Sequence, residues 1–199
     1  NFGDEGREIH LPYNSFNTNA LCEHVTVQNN FTTNTANEDW GCAAMTFGIL
    51  SSTKIQHNEI ENTSYSGISF GWGWNDKDNG VWENYIEQNY IHHFGKHNYD
   101  CGGIYTLGNQ GGLYIEENVI DSIYKAPYAH LPSHWFYLYA DEGTSGAEFV
   151  SNWTPTTKYL QNKNGKGNWW YENGPINNDS VKLDAGLQKD FIYLKKYST

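Results

Sequence analysis

The sequence predicts an all-β fold, a parallel β-helix of about five coils ending in an irregular C-terminal tail, and three observations carry that prediction. The first is a repeat of about thirty residues. An asparagine followed two residues later by Ile or Thr recurs at Asn30, Asn58, Asn89, Asn118 and Asn152, in steps of 28, 31, 29 and 34 residues. The second is a looser string after each of the first four anchors: "AAMTFG" (43–48), "GISFGWG" (67–73), "GGIYTLG" (102–108) and "FYLYADEG" (136–143). Insertions fall between these anchors and never through them, as in a solenoid whose coils stack only on their neighbours. The third is local. The segments are short, β-branched or aromatic, and bounded by Gly, Asn and Ser, and no eleven-residue window keeps a helical period.

Each part of the chain then has a place. Residues 1–21 form an N-terminal segment without an obvious polar cap, read as a truncated end of a longer solenoid. Residues 22–175 supply the coils. Equivalent asparagines on successive coils would lie about 4.8 Å apart, close enough to bond one another and the backbone as a ladder. Residues 176–199, including "NDSVKLDAGLQKDFIYLKKYST", have a different texture and are expected to pack over the final coil.

Composition narrows the function. Only 38% of the 199 residues are apolar, yet 16% are aromatic, with eight Trp and fifteen Tyr. Such a chain is too aromatic for disorder and rich in rings able to stack on ligands. A formal net charge of −11 argues against a nucleic-acid partner and against a polyanionic substrate, which leaves a neutral ligand such as a sugar. No apolar run is long enough to span a membrane, and no signal peptide is visible. Cys22, Cys42 and Cys101 are odd in number and widely spaced, which suggests free thiols.

Four strings, "YSGISFGWGW" (65–74), "DCGGIYTLG" (100–108), "YADEGTSG" (139–146) and "DAGLQKDFIYL" (184–194), occur in that order. Together they resemble motifs of right-handed parallel β-helix glycoside hydrolases, most similar to glycoside hydrolase family 141. The likeness runs from about Cys22 to the C-terminus. It implies hydrolysis of a glycosidic bond in an outward-facing groove, by a secreted or periplasmic protein acting on a carbohydrate, with no cofactor. It also implies two acids: Asp100 before the Gly-Gly-Ile-Tyr string and Asp141 in the Asp-Glu-Gly string one coil later. The missing N-terminal part of such a chain would be a partner of the groove. Phe136 and Tyr137 stand where the pattern usually has glycines, which would narrow the site.

Glycoside hydrolysis needs one carboxylic acid to protonate the leaving oxygen and another to activate water or attack directly. The repeat register, however, separates Asp100 from Asp141 by seven positions, or roughly 23 Å of extended chain. A sharp bend at Cys101-Gly102 or a shift of register would close that gap. The same register sets His134 beside Asp100, so His134 and Glu142 join the two aspartates as catalytic candidates. Trp72 and Trp74, flanked by glycines, suit stacking on a pyranose, and alternation lets at most one fill the interior. Tyr105, Tyr139 and Trp153 are candidates for the same wall. His92 is a candidate to bond sugar hydroxyls. The histidines at 92–134 lack zinc-ligand spacing, so no metal is expected, and "NDKDNG" (75–80) reads as a surface turn. Two other functions fit the same sequence: a polysaccharide lyase, with Lys96 or Lys125 nearby, and a non-catalytic glycan-binding or adhesive β-helix.

Overall fold

A computed structural model describes residues 21–161, 165–176 and 179–197, so the expected N-terminal segment 1–21 lies, but for Leu21, outside it. Every strand pair among the described residues is parallel. The largest sheet has six strands: Thr26–Gln28, Lys54–Gln56, Asn84–Glu87, Asn109–Glu116, Ser145–Val150 and Trp169–Tyr171. A five-stranded sheet takes Met45–Phe47, Ile68–Gly71, Cys101–Leu107, Trp135–Ala140 and Tyr159–Gln161. Phe31–Thr33, Glu59–Glu61, Tyr90–His92 and Val119–Asp121 make a four-stranded sheet, and Cys22–Glu23 pairs with Leu50–Ser51.

This corrects the expected fold. In place of one closed right-handed solenoid of about five coils, the strands form four separate parallel sheets packed side by side, and no hydrogen-bonded pairing joins one sheet to another among the described residues. The largest sheet carries six strands rather than five. Sequence spacing decides which strands become neighbours within a sheet, but it carries no information on how whole sheets sit against each other. The tail is not wholly irregular. It holds an α-helix, Asp179–Asp184, and a 3₁₀ helix, Lys189–Tyr197. Lys182 covers the ring of Trp153, Gly186 N–H donates to the Gln88 carbonyl, and Gln188 bonds Asn29, so the tail runs back along the four-stranded sheet.

The core follows from strand alternation. Val27, Ile55, Ile86, Ile115, Phe149 and Trp170 occupy one register row of the six-stranded sheet. Ile60, Ile91 and Ile120 form a row of the four-stranded sheet, and Ile68, Ile104 and Leu138 one of the five-stranded sheet. The buried members of these rows pack in a single apolar cluster drawing on all four sheets. Fully burying an aliphatic or aromatic side chain contributes about 1.5–3 kcal/mol, so aligned rows of this kind are the main attraction between the sheets.

The asparagine ladder forms as expected and is one rung longer. The side-chain amides of Asn30, Asn58, Asn89, Asn118 and Asn152 each donate to the Oδ1 of the next asparagine, at 2.8–3.0 Å, ending at Asn173. Each Oδ1 also accepts the previous rung's backbone N–H, and the amides of Asn58, Asn89, Asn118, Asn152 and Asn173 reach the carbonyls of Val27, Ile55, Ile86, Ile115 and Phe149. The residue before each rung (Asn29, His57, Gln88, Glu117, Ser151 and Glu172) is left-handed, with φ between 50° and 56°. A non-glycine residue there costs on the order of 1–3 kcal/mol, which the rung's hydrogen bonds offset.

Replacing Asn89 with Leu should therefore cost about 2–4 kcal/mol, because it strands the Asn58 amide and the Ile55 carbonyl in a dry interior. Gln28→Ala on the exposed face should stay within about 0.5 kcal/mol, and guanidinium unfolding distinguishes the two.

Candidate active site

Two strands of the five-stranded sheet, Cys101–Leu107 and Trp135–Ala140, build the site. Their register pairs Cys101 with Trp135, Gly102 with Phe136 and Tyr105 with Tyr139. Asp100 and His134 therefore meet just before the strands begin. The Asp100 N–H donates to the His134 carbonyl at 2.6 Å, and His134 Nε2 lies 3.1 Å from Asp100 Oδ1. Both side chains keep contact with solvent, at 53% exposure for Asp100 and 40% for His134.

At the far end of the second strand, Asp141 begins a turn in which the Thr144 N–H donates to the Asp141 carbonyl. The gap along the strand is bridged by tyrosines. Tyr139 donates its hydroxyl to Asp100 Oδ1 at 2.6 Å, and Tyr105 donates to Asp141 Oδ2 at 2.6 Å. The two rings touch edge to face with centroids 4.8 Å apart. With each hydroxyl about 3 Å from its ring centre, the bonded carboxylate oxygens lie at most roughly 16 Å apart, short of the extended-chain separation.

The bend that helps is at Asp100 itself, where φ is 56°, rather than at Cys101-Gly102, which are already strand. A Cβ at Gly102 would sit 2.9 Å from the Tyr139 Cβ, so the absence of a side chain there gives Tyr139 room beside the strand.

The electrostatics follow from this packing. Burial, then the hydrogen bond to Asp100 and the charges of both aspartates, raises the Tyr139 hydroxyl far above the usual phenol range. Tyr105 is raised by burial and then by its bond to Asp141. Burial comes first again for Tyr65, followed by the charges of Asp100, Cys101 and Asp141. Both acids therefore act on the same phenols. Burial also pushes the Cys101 thiol up to about 12, with Asp100 adding to it, so this sulfur is a packed thiol rather than a nucleophile.

The remaining candidates divide. Glu142 is exposed on the same turn as Asp141, and its carbonyl accepts from Gly108 N–H. Phe136 packs against His134 and Tyr139 and stands under the ammonium of Lys158, which also lies over the Trp135 ring. Trp72 and Trp74 follow the neighbouring strand Ile68–Gly71 and meet edge to face; Trp72 packs on the core while Trp74 is 47% exposed. His92 and Trp153 are not brought to this face. His92 is a buried member of the four-stranded sheet, and Trp153 lies beneath Lys182 of the tail.

Tyr65 was not among the sequence candidates. Its hydroxyl donates to the Asp100 carbonyl at 2.6 Å and so fixes the main chain of the first acid. The signal was available: the register offset that pairs Ile68 with Ile104 also sets Tyr65 level with Cys101.

No family model matches the chain, and no curated protein matches it. Among solved structures, one described as "Glycoside hydrolase" superposes with a TM-score of 0.89 at 46% sequence identity. The chain is similar to a glycoside hydrolase. The alignment covers 92% of this chain and 31% of the other, so the chain spans about a third of that protein's length. No helix among the described residues is long and apolar enough to cross a membrane.

The raised phenols make a prediction about alkaline stability. Above about pH 10, Tyr65, Tyr105 and Tyr139 ionise in the unfolded chain but stay protonated in the fold, so the unfolded state binds fewer protons and stability falls as pH rises. The double replacement Tyr105→Phe with Tyr139→Phe should flatten that fall between about pH 10 and 12, as read by denaturant midpoints across the range.

Proposed function

We propose that this chain hydrolyses glycosidic bonds with Asp100 and Asp141 as the working carboxylates. The observation that carries the reading is the crossed tyrosine bridge, which directs each acid toward the same ring pair and leaves Asp100 and His134 open to solvent. The 46% identity to a glycoside hydrolase supports the general activity. The finer placing near family 141 rests on the motif strings alone.

The geometry suggests a division of labour. Asp100 accepts the Tyr139 hydroxyl, lies beside His134 and is open to solvent. It suits the nucleophile or base, while Asp141 supplies the proton to the leaving oxygen. His134 positions Asp100 through its Nε2 and backbone carbonyl. The exposed Trp74 and the Phe136 ring offer apolar faces for a neutral or deoxy sugar, in keeping with the net charge of −11. A secreted or periplasmic setting, where polysaccharides are met, fits this activity.

The test is reducing-sugar release from a panel of neutral plant and microbial glycans. Asp100→Asn and Asp141→Asn should each lower kcat by about a thousandfold or more while preserving the thermal midpoint. Products absorbing near 235 nm, a general mark of lyase chemistry, would instead assign the site to elimination. Glycan binding with no turnover in the unaltered chain would assign a binding module.

A further inference from the structure

A second cluster of chemistry-bearing side chains lies on the outward face of the four-stranded sheet, away from the aspartates. Glu59 and Glu61 share one strand, and the register sets His92 beside Glu61, with Asp121 beyond it. Three acids thus face the same way, on the two strands that flank Tyr90–His92. One ligand atom each from Glu59, Glu61 and His92 lies within 4.8 Å of the others, and Glu59 and His92 are buried.

The separations are informative. His92 Nε2 is 3.5 Å from Glu59 Oε1 and 3.7 Å from Glu61 Oε2. Those exceed the usual range of about 2.7–3.2 Å for a hydrogen bond. The first matches, and the second slightly exceeds, the edge of a tetrahedron, about 3.3–3.6 Å, around an ion with bonds of about 2.0–2.2 Å. The other imidazole nitrogen, Nδ1, is 2.7 Å from His93 Nδ1. When His92 donates there, its Nε2 turns a lone pair toward two carboxylates, an arrangement that calls for a cation between them. Thr33 Oγ1 and the Asn62 amide hold the second Glu61 oxygen, Oε1, and leave Oε2 directed at His92. One Asp121 oxygen nearby is buried with no hydrogen-bond partner among the described residues, so that carboxylate is short of a donor.

The cation now beside the cluster comes from the tail. Lys195 Nζ lies 2.6 Å from Glu59 Oε1, and its side chain is 44% exposed, so it can leave without unpacking the sheet. We propose that Glu59, Glu61 and His92 form a binding site for a divalent transition metal of the zinc class, for which Lys195 competes. The imidazole ligand selects against calcium and magnesium, which take all-oxygen shells. Three protein ligands leave a fourth position for water. Metal entry displaces Lys195 from Glu59 and loosens the 3₁₀ helix Lys189–Tyr197, which makes the tail a reporter of the site.

The experiment is calorimetric titration of the full chain with zinc sulfate at pH 7.5, with magnesium and calcium as comparisons. The expected result is one zinc bound per chain, weakened at least tenfold by His92→Gln and by Glu61→Gln, and tightened about tenfold by Lys195→Ala. Circular dichroism checks that each variant is folded. Lys195→Ala lies on the surface tail and keeps the measurement decisive if a sheet variant fails to fold. Hydrogen exchange at 189–197 should also quicken when zinc is added. Zinc binding indifferent to both sheet variants, or none by the unaltered chain and Lys195→Ala alike, overturns the proposal and leaves the cluster as an ion-pair network holding the tail.

Discussion

The asparagine ladder is the constraint on which the rest of this structure depends. Parallel strands about thirty residues apart in sequence need a sharp turn at the same level each time, and the left-handed residue before each rung supplies it. That conformation is unfavourable for His57, Gln88, Glu117 and Ser151, none of which is glycine. What holds it is the next asparagine, whose carbonyl oxygen takes two N–H donors and whose amide reaches a buried main-chain carbonyl. Each rung leans on the next, so the ladder transmits register from Asn30 to Asn173.

Register is what makes the candidate site. Tyr105 and Tyr139 are side-by-side partners because the sheet is in phase, and each then reaches the acid belonging to the other's strand. A slip of one residue in either strand would turn its phenol to the other face and leave the acid it serves without that donor. The same phase sets Glu61 beside His92 on the four-stranded sheet. Two chemically distinct clusters, one open to solvent and one roofed by the tail, thus derive from a single alignment of strands.

The tail shows how long-range packing adds to this frame. Gly186 lies over the Tyr90 side chain, Gln188 joins Asn29 at the start of the ladder, and Lys195 reaches Glu59. Residues 96 to 159 positions apart are brought together by contacts with no periodicity. They cover polar groups rather than hydrophobic ones, and the 3₁₀ helix itself has no buried residue among its nine. Its hold on the sheet is accordingly hydrogen-bonded and electrostatic, weaker and more easily exchanged than the apolar rows.

By itself the sequence determined the parallel pairing, the asparagine rungs and the meeting of Asp100 with His134, because each is a matter of residues recurring at a spacing, and spacing sets register. Asn173 escaped notice since its step of 21 residues breaks the period. Tertiary structure alone decided the rest. It arranged the strands as four sheets rather than one closed solenoid, moved the bend to Asp100, and turned Tyr65 toward that acid's carbonyl. It also drew the tail across the four-stranded sheet and Lys195 onto Glu59. These depend on how surfaces meet in three dimensions, where the energy belongs to partners far apart in the chain and leaves no trace in local order.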